Sequence, residues 1–178
     1  PVMGRHAVVD AMLALAIADL LGVSPKDAAQ GLASTEANPL RGEVQRIGML
    51  TLIVDCYNAN PQSMRAALDV LEGQGPAARR VAVLGTMLEL GDVSGRLHRE
   101  VLGDALDRSF ELVVATGAFQ EAAKLMGATR GTEVITAPDW KVAYPELRER
   151  LNGDEIVLLK ASRGVALEGI IPLLTQDF

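Results

Sequence analysis

Short runs of consecutive apolar residues alternate with helix-forming segments through most of this chain, and this alternation limits the folds it can adopt. Examples of such runs lie at residues 51–54, 81–84 and 156–159. A strand that is apolar on both faces has to be covered on both sides, which is typical of a parallel sheet flanked by helices. The repeated order of strand, loop and helix predicts an α/β fold with a doubly wound, mostly parallel sheet.

Two helices are predicted ahead of the sheet. Residues 8–21 are rich in alanine and leucine and are interpreted as an amphipathic helix that ends at a glycine C-cap. Ser24 is the expected N-cap of the second helix, with Pro25 at its first position, and that helix ends near Gly31. The polar stretch 34–42 contains an Asn-Pro pair and is interpreted as a linker.

A domain boundary is therefore placed after residue 40, with a helical segment at 1–40 and an α/β domain at 41–178. The domain is predicted to begin with a β-hairpin. Its predicted strands lie at 43–47, 51–54, 80–84, 111–115, 133–136 and 155–159, and its helices at 61–71, 94–106, 119–126, 138–151 and 163–174.

Charge and composition exclude several classes of protein. The 17 Lys and Arg against 23 Asp and Glu give a net charge of −6, whereas binding nucleic acid by bulk charge requires a basic surface. No apolar run approaches the ~18 residues of a membrane span, and the start does not resemble a secretory signal. The single cysteine argues against a disulfide and a thiolate metal cluster. We therefore expect a globular cytoplasmic protein and, because the chain begins with proline, part of a longer one.

The loop after the first buried strand is the densest in polar groups. In a doubly wound sheet, ligands bind beyond the carboxyl ends of the strands. Asp55 lies at that position and can accept hydrogen bonds from the vicinal hydroxyls of a ribose, while Asn58 and Asn60 add uncharged donors and acceptors. The alternative for Asn60 is that it only caps the helix that begins at Pro61.

The loop after the last strand combines two cations with a hydroxyl. Lys160, Ser162 and Arg163 lie where the closing helix is predicted to begin, and a helix N-terminus favours an anion such as a carboxylate or phosphate. An arginine can bind either group in bidentate fashion. The equally weighted alternative is a surface loop in which Ser162 is an ordinary N-cap.

Other candidate groups are weaker. The sequence contains neither G-x-G-x-x-G nor G-x-x-x-x-G-K-[ST], which argues against a simple NAD enzyme and a self-sufficient ATPase. His98 is interpreted as a packing residue of its helix and Cys56 as a small buried thiol. Glu89 is more simply a solvated loop residue. No metal-ligating set is predicted.

Several segments, taken together, resemble the MurF family, the ATP-dependent UDP-N-acetylmuramoyl-tripeptide–D-alanyl-D-alanine ligases of peptidoglycan synthesis. The stretch at 55–64 resembles D-S-Y-N-A-N-P-x-S-M, and the stretch at 83–91 resembles V-L-G-D-M-L-E-L-G. Residues 97–101 are similar to L-H-R-E-V, and residues 159–163 to V-K-G-S-R. Upstream, Gly4 and His6 followed by an alanine-rich helix resemble G-x-H-N-x-x-N-A-L-A-A.

This resemblance implies a fold and an activity. The family has a UDP-sugar domain, a central ATPase domain and a C-terminal Rossmann-like domain, and this chain resembles the end of the second and all of the third. Family members phosphorylate the tripeptide carboxylate with ATP, and the amine of D-Ala-D-Ala attacks the acyl-phosphate. The reaction serves the cell wall and thereby cell shape and division. A protein without the P-loop is expected to be inactive by itself, and relatives are usually monomeric.

The resemblance also implies residue roles. Asp55 would hold the ATP ribose, Arg41 would reach the nucleotide phosphates during catalysis, and His6 would contact the nucleotide. The Mg²⁺ ion would be held by the central domain. The residues expected to bind the dipeptide are Tyr57, Asn58, Asn60, Lys160, Ser162 and Arg163.

Three positions depart from the family pattern. Ala7 and Asp10 replace two asparagines that contact the adenine side of the nucleotide, and Thr86 replaces an aspartate. Two alternatives therefore stay open: a Rossmann-like module that binds a small anion or nucleotide without chemistry, and a sister ligase with a different amine substrate.

Overall fold

A computed structural model describes residues 5–35, 39–75, 79–127 and 132–178, without the side chains of residues 5–7. Seven α-helices and six strands lie in these ranges. The helices are α1 (Arg5–Leu20), α2 (Pro25–Ala33), α3 (Pro61–Glu72), α4 (Ser94–Leu106), α5 (Ala118–Met126), α6 (Trp140–Arg150) and α7 (Ile171–Asp177). The strands are β1 (Glu43–Ile47), β2 (Leu50–Asp55), β3 (Arg80–Leu84), β4 (Leu112–Thr116), β5 (Glu133–Ala137) and β6 (Ile156–Lys160).

The strands form one sheet in the order β1-β2-β6-β3-β4-β5. Only the β1–β2 pair is antiparallel, while β2, β6, β3, β4 and β5 run parallel. The predicted α/β fold, with an N-terminal hairpin leading into a mostly parallel sheet, is confirmed. Because β6 lies between β2 and β3, the first and last buried strands of the chain are neighbours.

Each face of the sheet carries its own buried layer, which is why the strands are apolar on both faces. On one face, Leu52 and Leu159 pack with Leu147 of α6 and Leu174 of α7. On the other face, neighbouring strand residues pack with side chains of α3, α4 and α5, namely Ile53, Leu158, Met64, Leu68, Leu102 and Phe119.

The prediction of a helix at 163–174 is wrong. The segment instead forms two 3₁₀ turns, Arg163–Val165 and Leu167–Ile170, followed by the short helix α7. Ala166 interrupts the segment with φ +52°, a left-handed conformation that a helix does not allow. Leu167 and Ile170 are both completely buried by this arrangement. The loop after β6 therefore does not end at an α-helix N-terminus.

The prediction that the first helix is amphipathic is also wrong. Helix α1 begins at Arg5, and nearly all of its described side chains are exposed, with Ala11 and Ala18 partly covered. Val8, Met12 and Ile17 are each more than half exposed, so this helix buries no apolar face on the sheet. None of the described helices is long and apolar enough to cross a bilayer.

Candidate functional site

The carboxyl ends of β2, β6, β3 and β4 meet at one edge of the sheet, which we call the rim. The open half of the rim comprises the loops after β2 and β6 together with Arg41. The closed half comprises the loops after β3 and β4 together with His98. The loops that carry Asp55, Asn58 and Arg163 lie at this one end of the sheet, because β2 and β6 are parallel neighbours with Asp55 opposite Lys160.

An ion pair lies at the base of the open half. Lys160 Nζ is 2.9 Å from Asp55 Oδ2, and its side chain is only 1% exposed, whereas the Asp55 side chain is 24% exposed. The same ammonium donates to the carbonyl of Asn58 at 2.5 Å. The charge of Lys160 is therefore paired within the Asp55 loop, and Asp55 is the more accessible member of the ion pair. The expected contact between Lys160 and a dipeptide stays a prediction.

The two asparagines after Asp55 shape the loop. Asn60 forms a complete capping box with Ser63: its side chain accepts from the Ser63 amide at 2.9 Å, and its own amide donates to the Ser63 hydroxyl at 3.0 Å. The predicted N-cap role of Asn60 is thus confirmed, while its assignment to a ligand stays a prediction. Asn58 Oδ1 accepts from the Ala59 amide at 2.9 Å, which folds its side chain over the loop.

A cavity of about 420 Å³ opens beside these residues. Asp10 reaches it from α1, so one of the three positions that depart from the pattern of the resembled family faces the same space as Asp55. The Ala66 and Val70 side chains of α3 supply part of its apolar wall. The polar lining residues are Asp10, Arg41, Asp55, Asn58, Asn60, Gln62, Ser63 and Lys160.

Arg41 is held against the rim by the aromatic ring of Tyr57. Its guanidinium carbon lies 3.9 Å from the ring centroid, a cation–π contact. The backbone reinforces this placement, because the Tyr57 amide donates to the Leu40 carbonyl at 3.1 Å. Leu40 adopts φ +62°, and its amide donates to Glu43 Oε2 at 3.3 Å. The Arg41 side chain is thereby positioned above the Asp55 loop.

A second cavity, of about 340 Å³, is lined by Pro39, Leu40, Arg41, Tyr57 and Arg163. Two guanidinium groups face this space, and none of the described residues that line it carries a carboxylate. Arg41 borders both cavities, so it connects the acidic and the basic parts of the open half. A carboxylate or phosphate suits the second cavity, since planar guanidinium groups match both anions.

Glu168 pairs with Arg163 from the side. Its Oε1 accepts from Arg163 Nη1, while Oε2 is shielded from solvent and receives no hydrogen bond from the described residues. Sequence reasoning missed Glu168. The predicted helix at 163–174 includes this residue, whereas the left-handed Ala166 and a 3₁₀ turn direct it to the rim.

The closed half of the rim is sealed by hydrogen bonds from backbone amides to uncharged side chains. Ser162 Oγ accepts from the Leu88 amide at 3.0 Å, and Thr86 Oγ1 accepts from the Ala118 amide at 3.0 Å. Ser162 therefore does not cap its own turn, and its side chain is turned toward the loop after β3 rather than toward the arginine cavity. Its assignment to the dipeptide is not supported by this contact.

His98 binds a further backbone amide of the closed half. Its Nε2 accepts from the Met87 amide at 2.9 Å, and its Nδ1 lies 2.7 Å from the Ser94 carbonyl. These partners fix the neutral tautomer with the proton on Nδ1, and burial lowers the pKa of His98. The interpretation of His98 as a packing residue is confirmed, with the added role of holding the loop after β3.

Cys56 is confirmed as a buried thiol. Its Sγ is 3.4 Å from the Leu159 carbonyl, to which it donates, and the residue is fully buried. Burial, followed by the charges of Glu168 and Asp55, raises its pKa to about 12. A thiol with this pKa is a poor nucleophile.

The structure thus brings most of the predicted site residues together. Arg41, Asp55, Asn58, Asn60 and Lys160 line the first cavity. Tyr57 and Arg163 line the second, again with Arg41. The side chains of His6 and Ala7 lie outside the described part of the structure, so the prediction for His6 stays open.

Comparison with known proteins finds one matching family. Residues 41–163 match the family model described as "Mur ligase, glutamate ligase domain". The chain is also similar to UDP-N-acetylmuramoyl-tripeptide–D-alanyl-D-alanine ligase of Bacillus subtilis, with 33% identity over 187 residues. That alignment covers 99% of this chain but 39% of the relative. The chain therefore spans about two fifths of the length of this curated relative.

Solved structures of MurF proteins are also similar to this chain. The chain is similar to a crystal structure of MurF from Acinetobacter baumannii, with a TM-score of 0.87 and 32% identity, covering 97% of this chain and 38% of that one. It is also similar to MurF ligase from Thermotoga maritima in complex with ADP, with a TM-score of 0.72 and 25% identity. This second alignment covers 92% of this chain and 36% of the other.

Proposed function

This chain belongs to the Mur ligase family, and from that membership and the geometry of the rim we propose that it is the acceptor-binding part of an ATP-dependent MurF-type amide ligase. The proposed enzyme joins D-Ala-D-Ala to UDP-N-acetylmuramoyl-tripeptide through an acyl-phosphate. It works in the cytoplasm as a monomer, without nucleic acid or membrane as a partner. The observation that carries the proposal is the position of Arg41 between a cavity that includes Asp10 and Asp55 and a second cavity that Arg163 lines with it.

The first cavity suits a nucleoside. Asp55 is an ionised acceptor at a strand end, where it can take hydrogen bonds from two vicinal ribose hydroxyls. Lys160 fixes the orientation of this carboxylate from below and leaves its outer edge accessible. Asp10 adds a second acceptor to the same cavity, in place of the uncharged amide that the family pattern has there.

The second cavity suits the carboxylate of the amine substrate. Arg163 and Arg41 together supply enough donors to bind both oxygen atoms of a carboxylate. This binding orients the dipeptide and directs its amine out of the cavity. Arg41 also borders the nucleotide side, so its charge can offset negative charge on a phosphate that approaches the rim. ATP supplies the phosphoryl group that activates the other substrate. The described residues include no group of three or more metal-ligating side chains, so we assign no step to Mg²⁺ on this chain.

The exposed apolar helix α1 supports the proposal that catalysis needs more than these residues. Val8, Met12 and Leu13 are more than half exposed, and a surface of this kind is typical of an interaction site. We therefore expect residues 1–178 alone to show no ATP-dependent ligation. Turnover by residues 1–178 alone would contradict this part of the proposal.

The test is steady-state kinetics of the enzyme that carries this domain. Arg163→Ala is expected to raise KM for D-Ala-D-Ala about tenfold or more, because one of the two guanidinium groups is lost, and to change KM for ATP little. Asp55→Asn is expected to raise KM for ATP and to change KM for D-Ala-D-Ala little. Arg150→Ala is the matched control, because Arg150 pairs with Glu133 of β5 and with Glu146 of α6. A dipeptide KM that does not respond to Arg163→Ala would contradict the assignment. Nucleotide binding without ligation would favour the non-catalytic module. Ligation of an amine other than D-Ala-D-Ala would favour a sister ligase.

A further inference from the structure

Arg163 is an exposed side chain that has a defined direction. Its side chain is 58% exposed, yet it borders the second cavity next to Tyr57 and Arg41. An arginine in solvent has many rotamers, and a site that binds through it loses affinity when those rotamers have to be restricted on binding. Within the described ranges, the contact with Glu168 is the one hydrogen bond or ion pair found for the Arg163 side chain.

Glu168 lies on a turn that is anchored in the core next to Arg163. It lies in the 3₁₀ turn Leu167–Ile170, whose two end residues are completely buried and anchor the turn in the core. The Glu168 side chain is only 24% exposed, and its charge contributes to the raised pKa of buried Cys56. The carboxylate therefore lies between the core and the arginine cavity, without lining that cavity.

The pair leaves most of Arg163 available. One nitrogen, Nη1, bonds to Glu168 Oε1, and the remaining guanidinium donors have no partner among the residues that the structure describes. A guanidinium has five donors in a planar fork, so an arginine held by one edge can still bind a carboxylate through the other. The Oε2 atom of Glu168 is shielded from solvent, so the carboxylate acts through Arg163 and does not contact a ligand itself.

We propose that Glu168 is a positioning residue that directs Arg163 into the cavity shared with Arg41 and thereby sets the affinity of this cavity for the carboxylate of the amine substrate. The inference rests on the proposed function for the identity of that substrate. The direction of Arg163 itself is a property of the chain and is independent of it.

The experiment compares the wild-type 178-residue chain with Glu168→Gln, Glu168→Asp and the control Glu121→Gln, which removes an exposed helix carboxylate paired with Lys124. NMR relaxation of the Arg163 Nε–H group reports its order without any ligand. Titration with D-alanyl-D-alanine gives the Kd. In Glu168→Gln, the Arg163 side chain should become disordered and the Kd should rise up to about tenfold. Glu168→Asp should restore part of both effects.

A positioning role differs from a merely structural one in its dependence on Arg163. In an Arg163→Ala background, Glu168→Gln should leave the dipeptide Kd unchanged. Equal order of Arg163 in wild type and Glu168→Gln would overturn the proposal, and so would a Kd that is unchanged or lower in Glu168→Gln. If Arg163 loses its order in Glu168→Gln but wild type does not bind the dipeptide, the directing contact stands, whereas the carboxylate assignment and the proposed function fail.

Discussion

The two halves of the rim are built from the same parallel strands, yet they differ in how their polar groups are used. In the open half, Asp55, Lys160, Arg41 and Arg163 carry charge and border two cavities. In the closed half, the uncharged side chains of Thr86 and His98 accept hydrogen bonds from backbone amides, and Ser162 accepts one from Leu88 across the boundary between the halves. A sheet edge of this fold is therefore not a site along its whole length. We place the proposed site where charged side chains keep unused hydrogen-bonding capacity.

The largest effect on stability is expected in the open half. Asp55→Asn removes the partner of Lys160, which stays buried at 1% exposure with an unbalanced charge. Breaking a buried pair in this way is expected to cost about 3 kcal/mol in the free energy of unfolding. Urea denaturation at pH 7 measures the loss.

The double variant Asp55→Asn/Lys160→Met is the control for this prediction. It removes both charges, so its stability should lie within about 1 kcal/mol of wild type. If the double variant is less stable than Asp55→Asn alone, the ion pair does not have the role assigned to it here.

A smaller loss of stability is expected when a methyl group is added to the closed half of the rim. A Cβ at Gly117 would overlap Thr86 Oγ1, and the backbone there has φ 61° and ψ −125°. We expect Gly117→Ala to destabilise the protein by about 2 kcal/mol, from backbone strain plus the clash. Gly127 has nearly the same backbone angles, φ 74° and ψ −133°, and no atom of the described residues lies within 4 Å of an added Cβ. Gly127→Ala should therefore show the strain alone, about 1 kcal/mol. Equal losses in both variants would mean that Thr86 does not close this half.

The smallest effect concerns pH. Burial places the pKa of His98 below its ordinary value of about 6.5, so the unfolded chain takes up a proton at a higher pH than the folded chain does. The contribution of His98 to stability is complete above about pH 6.5 and is lost as the pH falls through the folded-state pKa, at no more than about 1.4 kcal/mol per pH unit.

Urea midpoints between pH 7.5 and 5 check this prediction by comparison of two variants. His98→Gln should flatten the dependence, because no group that has to stay neutral remains at that position. The sequence contains two histidines, and His6→Gln should leave the wild-type slope in place. A slope that follows His6 rather than His98 would contradict the described role of His98.

The sequence predicted the strands and the rim because continuous apolar runs end directly in Asp55 and Lys160. Both signals are local, and the parallel strands bring these residues together. The burial of Lys160 was not predictable in the same way, because its partner lies in another strand and burial depends on the loop that folds over it. The same applies to His98, whose partner is a backbone amide.

The errors have physical causes as well. A local pattern of apolar residues at 163–174 favours a helix, but the core needs Leu167 and Ile170 inward, and Ala166 changes the chain direction to allow this. In α1, apolar residues were assumed to form one buried face. They surround the helix instead, and most of them stay exposed in the described structure. Composition alone does not indicate where such a surface is directed.

The measurement that tests the central claim most directly is an NMR titration of the ¹⁵N-labelled 178-residue chain with D-alanyl-D-alanine, read residue by residue. The account predicts saturable shift changes concentrated at Arg41, Tyr57 and Arg163, with small changes at Thr86, Gly117 and His98. Shift changes centred on Thr86 and Gly117, or no saturation at the arginines, would contradict the assignment of ligand binding to the open half of the rim.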